Sequence, residues 1–317
     1  MTPHLPMEPN YLHVAVGVIS NAEGKLLISQ RGEALAWAGL WEFPGGKLEA
    51  GETPRQALDR ELHEELGITV ISAEPLITLQ YQYPDVTVKL YAFSVGQFAG
   101  KVCSTLGQVC HWVAPPELNQ YAFLAANKAV ICAAQLPAWY AILDDAGQAK
   151  LTDNLDHLLA SGITLIQARL KQSSPEAVGR FLDHAYPLCQ QQGVKLLVNS
   201  AVYRSGCHKA DGIHLTRQDL LACQHRPEGH QWVAASCHNL PELLHAQKIG
   251  VDFAVLSPVQ TTPSHPEATP LGWQRFAQLV DTVNLPVYGL GGLSTGQLEK
   301  VRQLGGQGIA AIRAFSR

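Results

Sequence analysis

The chain has 317 residues, of which 46% are hydrophobic and 16% charged, and its formal net charge at pH 7 is -4. At about 150 residues per domain this length predicts two domains, and the lack of a basic excess argues against duplex nucleic acid as a partner. The seven cysteines form no CxxC pair, so neither a disulfide framework nor a zinc knuckle is expected. We find no export leader and no apolar run of membrane-span length, which predicts a cytoplasmic protein.

The first part of the chain has the pattern of an α+β domain. Residues 12–20 and 25–30 are β-rich runs separated by the turn signal NAEG. Residues 86–95 alternate well enough for another strand, and residues 123–135 have helical spacing. Pro137 follows this last helix, which predicts one domain over residues 1–135 and a second over residues 136–317.

One helix has well marked limits. Thr53 is a good N-cap residue, Pro54 suits the first helical position, and Gly67 supplies a C-terminal stop. The spacing therefore predicts a helix from Pro54 to Leu66, with leucines at every fourth position buried against a sheet.

Three carboxylates share the adjoining face of this helix, at Glu61, Glu64 and Glu65. Two carboxylates about 5 Å apart repel by about 3 kcal/mol at an effective dielectric near 20, so we expect a positive partner. Oxygen ligands without thiols or paired histidines favour Mg²⁺, with Mn²⁺ also possible, and Mg²⁺ commonly binds substrate phosphates. The face thus predicts a polyphosphate substrate, and the alternative is an acidic helix face exposed to solvent.

The second part of the chain repeats short apolar runs separated by helical stretches. Such runs are typical of strands buried on both faces of a parallel sheet, and eight of them predict a (β/α)₈ barrel. Polar residues at the ends of the runs favour the barrel over the alternative, an open doubly wound sheet. The eight runs are residues 140–143, 164–168, 195–199, 211–215, 232–236, 253–257, 286–290 and 308–312.

The acidic helix and the loop before it resemble the box of the Nudix hydrolases. The match specifies nine positions in one register: Gly46, Glu52, Arg60, Glu61, Leu62, Glu64, Glu65, Gly67 and Ile68. The resemblance implies cleavage of a nucleoside diphosphate linked to another group, with water attacking phosphorus while divalent metals neutralise charge.

The same resemblance assigns roles to residues of the box. Glu61, Glu64 and Glu65 become catalytic metal ligands, and each is a candidate for the base that deprotonates water. The carbonyl of Gly45 is a further candidate ligand. A structural ion pair between Glu52 and Arg60 is expected to hold the loop.

Across residues 12–133 the chain is similar to the MutT-type 8-oxo-dGTP diphosphatases. The resemblance implies hydrolysis of 8-oxo-dGTP to 8-oxo-dGMP and diphosphate, a role in nucleotide-pool sanitation and DNA repair, and an asparagine that reads the purine edge. It assigns substrate binding to Arg31, Glu42, Phe43, Gly45, Asp85 and Asn127. The chain departs from these relatives at Leu106, where a glutamate is frequent, and at Ala36 and Val86.

Residues 138–317 resemble the thiamine phosphate synthases and their TenI-like relatives. Arg169 and Lys171 match a pair that binds pyrophosphate, and Asp219 matches a Mg²⁺ ligand. Gly291 and Gly292 match a loop whose backbone amides hold a phosphate. The resemblance implies a thiazole or thiamine phosphate as the ligand of this domain.

The synthase pattern is incomplete. Ser200 stands beside Asn199 where a second acidic metal ligand is expected, and His265 replaces a phosphate-binding lysine. His238 matches a functional histidine of the TenI-like thiazole tautomerases. Tautomerase-like activity or ligand binding, synthase activity and a non-catalytic role all stay open for the barrel. For the whole chain, the alternative to nucleotide sanitation is a bifunctional protein of the thiamine pathway, and the oligomeric state is not predicted.

Overall fold

The computed structural model describes most of the chain, which divides into two compact units, Met1–Gln135 and Leu136–Arg317. The described residues are 11–33, 36–105, 107–145, 148–203, 209–262, 267–313 and 315. Two positions singled out in the sequence, Leu106 and His265, lie outside them. Within the described ranges, no helix combines the length and the apolar character needed to cross a membrane.

The N-terminal unit is built from two sheets and two α-helices. Its strands are β1 (Tyr11–Ile19), β2 (Leu26–Gln30), β3 (Trp41–Glu42), β4 (Gly45–Lys47), β5 (Thr69–Gln82), β6 (Thr87–Ala99) and β7 (Cys110–Val113). Its helices are α1 (Pro54–Leu66), the 3₁₀ helix Pro115–Gln120, and α2 (Asn127–Gln135).

The larger sheet of this unit is mixed and has the strand order β4-β1-β6-β5. Strands β1 and β6 run parallel, whereas β4 and β5 pair antiparallel with their neighbours. The smaller sheet is antiparallel, with the order β3-β2-β7. Helix α1 buries Leu58, Leu62 and Leu66 in a core shared with β1 and β6, which leaves its acidic face free for other contacts.

The predicted limits of α1 are confirmed. The Thr53 side chain accepts a hydrogen bond from the Gln56 N–H, and the Gln56 side chain accepts one from the Thr53 N–H, which forms a capping box. Gly67 ends the helix in the left-handed conformation, with φ of 67°. These local contacts fix where α1 begins and ends, and therefore on which side of the helix its carboxylates lie.

Strand β5 was not singled out by the sequence pattern. It has 14 residues, contains Pro75, and shows three register shifts against β6. Proline and bulges are tolerated because β5 lies at the edge of its sheet. Those interruptions also break the two-residue alternation by which a strand is recognised.

The C-terminal unit is a closed barrel of eight parallel strands, which confirms the predicted (β/α)₈ architecture and excludes the open sheet. The strands are β8 (Trp139–Asp144), β9 (Leu165–Arg169), β10 (Lys195–Asn199), β11 (Gly212–Leu215), β12 (Trp232–Cys237), β13 (Phe253–Leu256), β14 (Val287–Gly289) and β15 (Gly308–Ala311). The helices are α3 (Gln148–Ala160), α4 (Pro175–Gln191), α5 (Arg217–Ala222), α6 (Leu240–Ile249), α7 (Gly272–Asp281), the 3₁₀ helix Thr295–Gln297, and α8 (Leu298–Gln303).

Close strand packing makes the barrel sensitive to side-chain volume at Gly212. A Cβ at this position in β11 would lie 2.1 Å from the carbonyl oxygen of Trp232 in β12. We expect Gly212→Ala to lower the free energy of unfolding by about 1–3 kcal/mol or more, because the two strands must separate to admit a methyl group.

The matched control is Gly179→Ala in α4, where an added Cβ meets no atom within 4 Å. It should leave stability unchanged or raise it by up to about 1 kcal/mol, since alanine favours a helix over glycine. Thermal unfolding of both full-length variants provides the measurement. Equal melting temperatures would contradict the steric argument.

Candidate functional site

Helix α1 and strand β4 bring two of the predicted carboxylates against a pair of glycines. The Gly45 N–H donates a 3.1 Å hydrogen bond to Glu65 Oε2. A Cβ on Gly46 would lie 2.2 Å from the carboxyl carbon of Glu61, so this carboxylate occupies space that any other residue would fill. The two glycines therefore let the acidic face of α1 approach the backbone of β4.

Arg60 organises the loop that leads into α1. Its Nε and Nη2 atoms donate to Glu52 at 2.8 and 3.0 Å, and Nη2 also donates to the Lys47 carbonyl at 3.0 Å. These bonds to Arg60, with a further one from the Glu49 N–H, lower the pKa of Glu52 to about 2. The contacts of Arg60 tie β4 to the loop and to the first turns of α1.

The remaining nitrogen of Arg60, Nη1, points towards the acidic face of α1. Its Nη1 atom donates to Glu61 at 2.9 Å and lies 3.4 Å from Glu64, whose side chain is 60% exposed. Glu64 thus stands at the solvent edge, while Glu61 and Glu65 are drawn inward.

Glu65 has an unusual protonation equilibrium. Burial raises the pKa of its carboxyl to about 7, opposed by the hydrogen bond from Gly45, and the charges of Glu61 and Glu42 raise it further. A buried carboxyl that titrates near neutrality, with two other carboxylates acting on it, is typical of a functional site.

A divalent cation fits this cluster by donor type and charge. Carboxylate oxygens are the ligands that Mg²⁺ and Mn²⁺ prefer, and a cation would stabilise the ionised form of Glu65, which burial and the charges of Glu61 and Glu42 disfavour. In the conformation seen, no three His, Cys, Asp or Glu side chains of the described ranges are already arranged as a metal site. Arg60 engages Glu61 instead, so metal ligation requires these side chains to turn.

Arg31 and Glu42, both predicted to bind substrate, form an ion pair of 2.5 Å in which each side chain is 19% exposed. Arg31 Nε also donates to the carbonyl of Ala36 at 2.9 Å, which anchors the loop between β2 and β3. Burial raises the pKa of Glu42, although the charge of Arg31 opposes the shift. The charge of Glu42 contributes to the raised pKa of Glu65, so the two carboxylates influence each other.

Asn127 lies at the start of α2 and is only 4% exposed. Its Oδ1 atom is buried and has no hydrogen-bond partner in the described part of the chain. A buried acceptor without a partner costs about 1–3 kcal/mol, so such an atom is expected where a ligand supplies the donor.

Three aromatic residues that the sequence did not single out form a cluster, and one of them contacts the residue before Asn127. The ring of Trp37 is 4.5 Å from that of Tyr83, which is 4.7 Å from Tyr81. The Tyr83 side chain is hydrogen-bonded to the backbone of Ala126. Trp37 is 43% exposed and has a φ of 57°, rare for a bulky residue. A large aromatic residue between small ones, in the stretch ALAWAG, is the only sequence signal for it.

Two further predicted substrate contacts, Phe43 and Asp85, differ in exposure. Phe43 is fully buried, and its ring packs 5.7 Å from Phe123, so its side chain supports the site from the core. Asp85 is exposed in the turn between β5 and β6.

All the residues predicted for the barrel line one cavity of about 820 Å³ among the ends of the strands. They come from different strands and loops that a barrel places around one mouth. The seven are Arg169, Lys171, Asn199, Asp219, His238, Gly291 and Gly292.

Arg169, one of the two cationic residues of this cavity, forms an ion pair that the sequence did not suggest. Asp144, at the end of β8, accepts two 2.8 Å bonds from Arg169 Nη1. Burial, and then the charge of Arg169, lower the pKa of Lys171. Across the mouth Gly292 has a φ of 68°, and a Cβ there would lie 2.4 Å from the Thr261 carbonyl oxygen. This loop needs glycine both for its conformation and for its close approach.

Asp219 is held by two hydroxyl groups. Ser200 Oγ and Thr216 Oγ1 lie 2.5 and 2.6 Å from Asp219 Oδ2. Ser200 Oγ accepts from the Thr216 N–H, and Thr216 Oγ1 accepts from the Asp219 N–H, so both hydroxyl protons point to the carboxylate. With its oxygen so occupied and a serine in place of the second carboxylate, this site does not fit Mg²⁺.

His238 is oriented by the backbone of β13 and the loop after it. Its Nδ1 atom lies 2.8 Å from the Ser257 carbonyl oxygen, so Nδ1 carries a proton and donates it. In its neutral form a ring with the proton on Nδ1 presents Nε2 as a proton acceptor. Glu242 accepts a 2.7 Å bond from the His238 N–H and is itself paired with Arg217 at 2.6 Å.

Two family descriptions match the chain: "NUDIX domain" over residues 15–133 and "Thiamine monophosphate synthase" over residues 139–315. The chain is 38% identical over 125 residues to an 8-oxo-dGTP diphosphatase of Haemophilus influenzae. The aligned region covers 39% of this chain and 92% of that protein. A CTP pyrophosphohydrolase of Escherichia coli is 39% identical over 112 residues, covering 35% of this chain and 83% of that protein.

The barrel has relatives of its own. A putative thiamine-phosphate synthase 2 of Aquifex aeolicus is 31% identical over 183 residues, covering 57% of this chain and 98% of that protein. Both resemblances found in the sequence are thereby confirmed. The chain belongs to two families at once, with a Nudix hydrolase domain of the 8-oxo-dGTP diphosphatase type in its N-terminal unit and a domain of the thiamine monophosphate synthase family in its C-terminal unit.

Proposed function

We propose that the N-terminal unit hydrolyses 8-oxo-dGTP to 8-oxo-dGMP and diphosphate with Mg²⁺, and so removes oxidised nucleotides in the cytoplasm before they enter DNA. The buried, unpaired Oδ1 of Asn127 carries this proposal. Oxidised guanine has an N–H at position 7 where guanine has an acceptor, and an amide oxygen accepts such a donor.

In this proposal the phosphates of the substrate bind next to the acidic face of α1. In this proposal Glu61, Glu64, Glu65 and the Gly45 carbonyl hold the divalent metal, and Arg31 and Asp85 bind the nucleotide. When bound, the metal neutralises charge on the phosphate oxygens and lowers the pKa of water. Because Oε2 of Glu65 accepts from Gly45, its Oε1 is the atom assigned to take a proton from the attacking water.

Substrate preference is tested by a screen of the purified full-length protein with Mg²⁺. The substrates are 8-oxo-dGTP, dGTP, CTP, ADP-ribose and thiamine diphosphate, with CTP included because of the Escherichia coli relative. The proposal expects the highest kcat/KM for 8-oxo-dGTP. A preference for thiamine diphosphate would instead support the bifunctional thiamine-pathway protein.

For the barrel we propose metal-independent binding of a thiazole or thiamine phosphate. Arg169, Lys171 and the loop at Gly291 and Gly292 supply positive charge and backbone donors to one cavity. The hydroxyl clamp on Asp219 supports binding without Mg²⁺. His238, with Nε2 as acceptor, would serve a proton transfer as in a tautomerase, rather than the departure of pyrophosphate that a synthase must stabilise.

Glu65→Gln tests the metal-binding face. We expect turnover of 8-oxo-dGTP to fall by about a hundredfold or more, because a charged ligand and proton acceptor is lost. The control is Glu49→Gln, which removes an exposed carboxylate of the preceding loop and should leave turnover near the wild-type value. Near-wild-type rates for Glu65→Gln would refute the assigned role.

The same substitution should raise stability in metal-free protein. The folded protein binds the Glu65 proton more tightly than the unfolded chain, so this residue costs stability as the pH rises from about 4.5 towards 7 and above. In EDTA, Glu65→Gln should therefore increase Tm at pH 8 and have little effect at pH 4. A lower Tm at pH 8 would mean that the carboxylate stabilises the fold.

Asn127→Ala tests the base pocket. We expect kcat/KM for 8-oxo-dGTP to fall by about 10-fold to 100-fold, since a hydrogen-bonded base contact is worth about 1–3 kcal/mol, and the loss for dGTP to be smaller. Steady-state kinetics on both nucleotides provide the comparison. Equal losses would assign Asn127 a structural role at the start of α2.

The barrel is tested by calorimetric titration of the full-length protein with thiamine monophosphate, in EDTA and in Mg²⁺. Equal affinity under both conditions is expected, together with no coupling of pyrimidine to thiazole. Ser200→Asp should restore at most a trace of coupling and should make binding depend on Mg²⁺. Robust product from the wild type would refute the loss of synthase activity.

A further inference from the structure

Trp37 is exposed in a backbone conformation that disfavours its side chain. Its φ of 57° lies in the left-handed region, where the Cβ of an ordinary residue comes too close to the following carbonyl oxygen. The residue is 43% exposed, so burial of the whole ring does not offset this strain. Strain of this kind persists only where the surrounding structure imposes it, and it is frequent at ligand-binding sites.

Four hydrogen bonds in the loop between β2 and β3 impose the conformation of Trp37. Arg31 Nε donates to the Ala36 carbonyl at 2.9 Å, and the Leu40 N–H donates to the Trp37 carbonyl at 3.3 Å. The Gly39 N–H donates to the Arg31 carbonyl at 3.1 Å, and the Arg31 N–H donates to the Leu40 carbonyl at 3.0 Å. These bonds fix the backbone on both sides of Trp37, so the loop sets where the indole stands.

The indole rests on Tyr83, which connects it to the base-reading end of the unit. The two rings are 4.5 Å apart and inclined by 37°, and Tyr83 itself is buried. The Tyr83 side chain is hydrogen-bonded to the backbone of the residue before Asn127. Burial raises the pKa of its hydroxyl, and the charges of Arg31 and Glu42 also act on it. Tyr83 therefore joins the Trp37 loop to residues that are proposed to bind the nucleotide.

A flat heteroaromatic ring suits both Trp37 and Asn127. Its face can stack on the part of the indole that Tyr83 leaves open, and its edge can supply the N–H donor that the buried Asn127 Oδ1 lacks among the residues described. Stacking tolerates every base because every base has a π-face, whereas a single acceptor favours bases with a donor at the matching position.

We propose that Trp37 is the stacking platform of the nucleotide site and contacts the face of the base whose edge Asn127 reads. Tyr83 is a positioning residue that acts through the indole. Recognition is thereby divided between two residues, since Trp37 provides affinity for any base and Asn127 selects among bases. This inference rests on the function proposed for the N-terminal unit and deepens it.

Two substitutions of Trp37 separate the ring from the backbone. Asparagine removes the ring but adopts the left-handed conformation more easily than a bulky residue, and phenylalanine keeps an aromatic face. In the full-length protein with Mg²⁺, KM for 8-oxo-dGTP should rise about 10-fold or more in Trp37→Asn and about threefold or less in Trp37→Phe. The kcat should change little, because stacking acts equally on the bound substrate and on the transition state.

Selectivity provides a second readout. Trp37→Asn should raise KM for dGTP by the same factor as for 8-oxo-dGTP, and KM for CTP by less, since a single ring covers less of the indole. The Tm of Trp37→Asn should equal or exceed that of the wild type, because the strain is reduced. The matched control is Ile71→Ala in β5, which removes an apolar side chain that is 61% exposed and should leave KM unchanged.

Unchanged KM for every nucleotide in Trp37→Asn would overturn the stacking role. A lower Tm together with a fall in kcat would assign Trp37 to the fold and would overturn it as well. If the wild type does not prefer 8-oxo-dGTP to dGTP, the proposed substrate is wrong, whereas KM for the nucleotides that are hydrolysed still decides the role of Trp37. A protein that hydrolyses none of the three would overturn both.

Discussion

The Arg60 guanidinium is the contact on which the acidic site of the N-terminal unit depends. One planar group joins the Lys47 carbonyl in β4 and Glu52 in the loop to Glu61 on the helix. A rigid fork of five donors suits this task better than a flexible ammonium group. Because the helix is capped at Thr53 and joined to the loop by Arg60, Glu61 and Glu65 stay close to each other despite their repulsion. Burial, together with the charges of Glu61 and Glu42, raises the pKa of Glu65, so a positive charge at this site would stabilise its ionised form.

The two units differ in how their buried polar side chains are hydrogen-bonded. In the described part of the N-terminal unit, the side-chain oxygen of Asn127 is buried and has no hydrogen-bond partner. In the barrel, five interior side chains are each hydrogen-bonded to the next: Asn199, Gln167, Tyr140, His214 and Ser236. A buried acceptor without a partner is costly, so the Asn127 oxygen marks a place where a ligand can supply the donor.

Local signals made much of this structure predictable. Caps at Thr53 and Gly67 define α1, and continuous apolar runs define the barrel strands, because each signal lies within a few residues. The pairs Asp144–Arg169 and Tyr140–His214 were not predictable, since their members are 25 and 74 residues apart and meet only when the barrel closes. Long-range pairs of this kind depend on strand register, which no single segment encodes.

The exposure of Trp37 bears on how this protein can be studied by fluorescence. Its indole ring is 43% exposed and contacts Tyr83 on one side, whereas Trp41 in the following strand is buried. Indole emission responds to the solvent and rings around it, so the exposed ring of Trp37 is the one in this pair whose emission a covering ligand would change. A nucleotide titration of the Trp37→Phe variant beside the wild type would separate this change from the emission of the other five tryptophans.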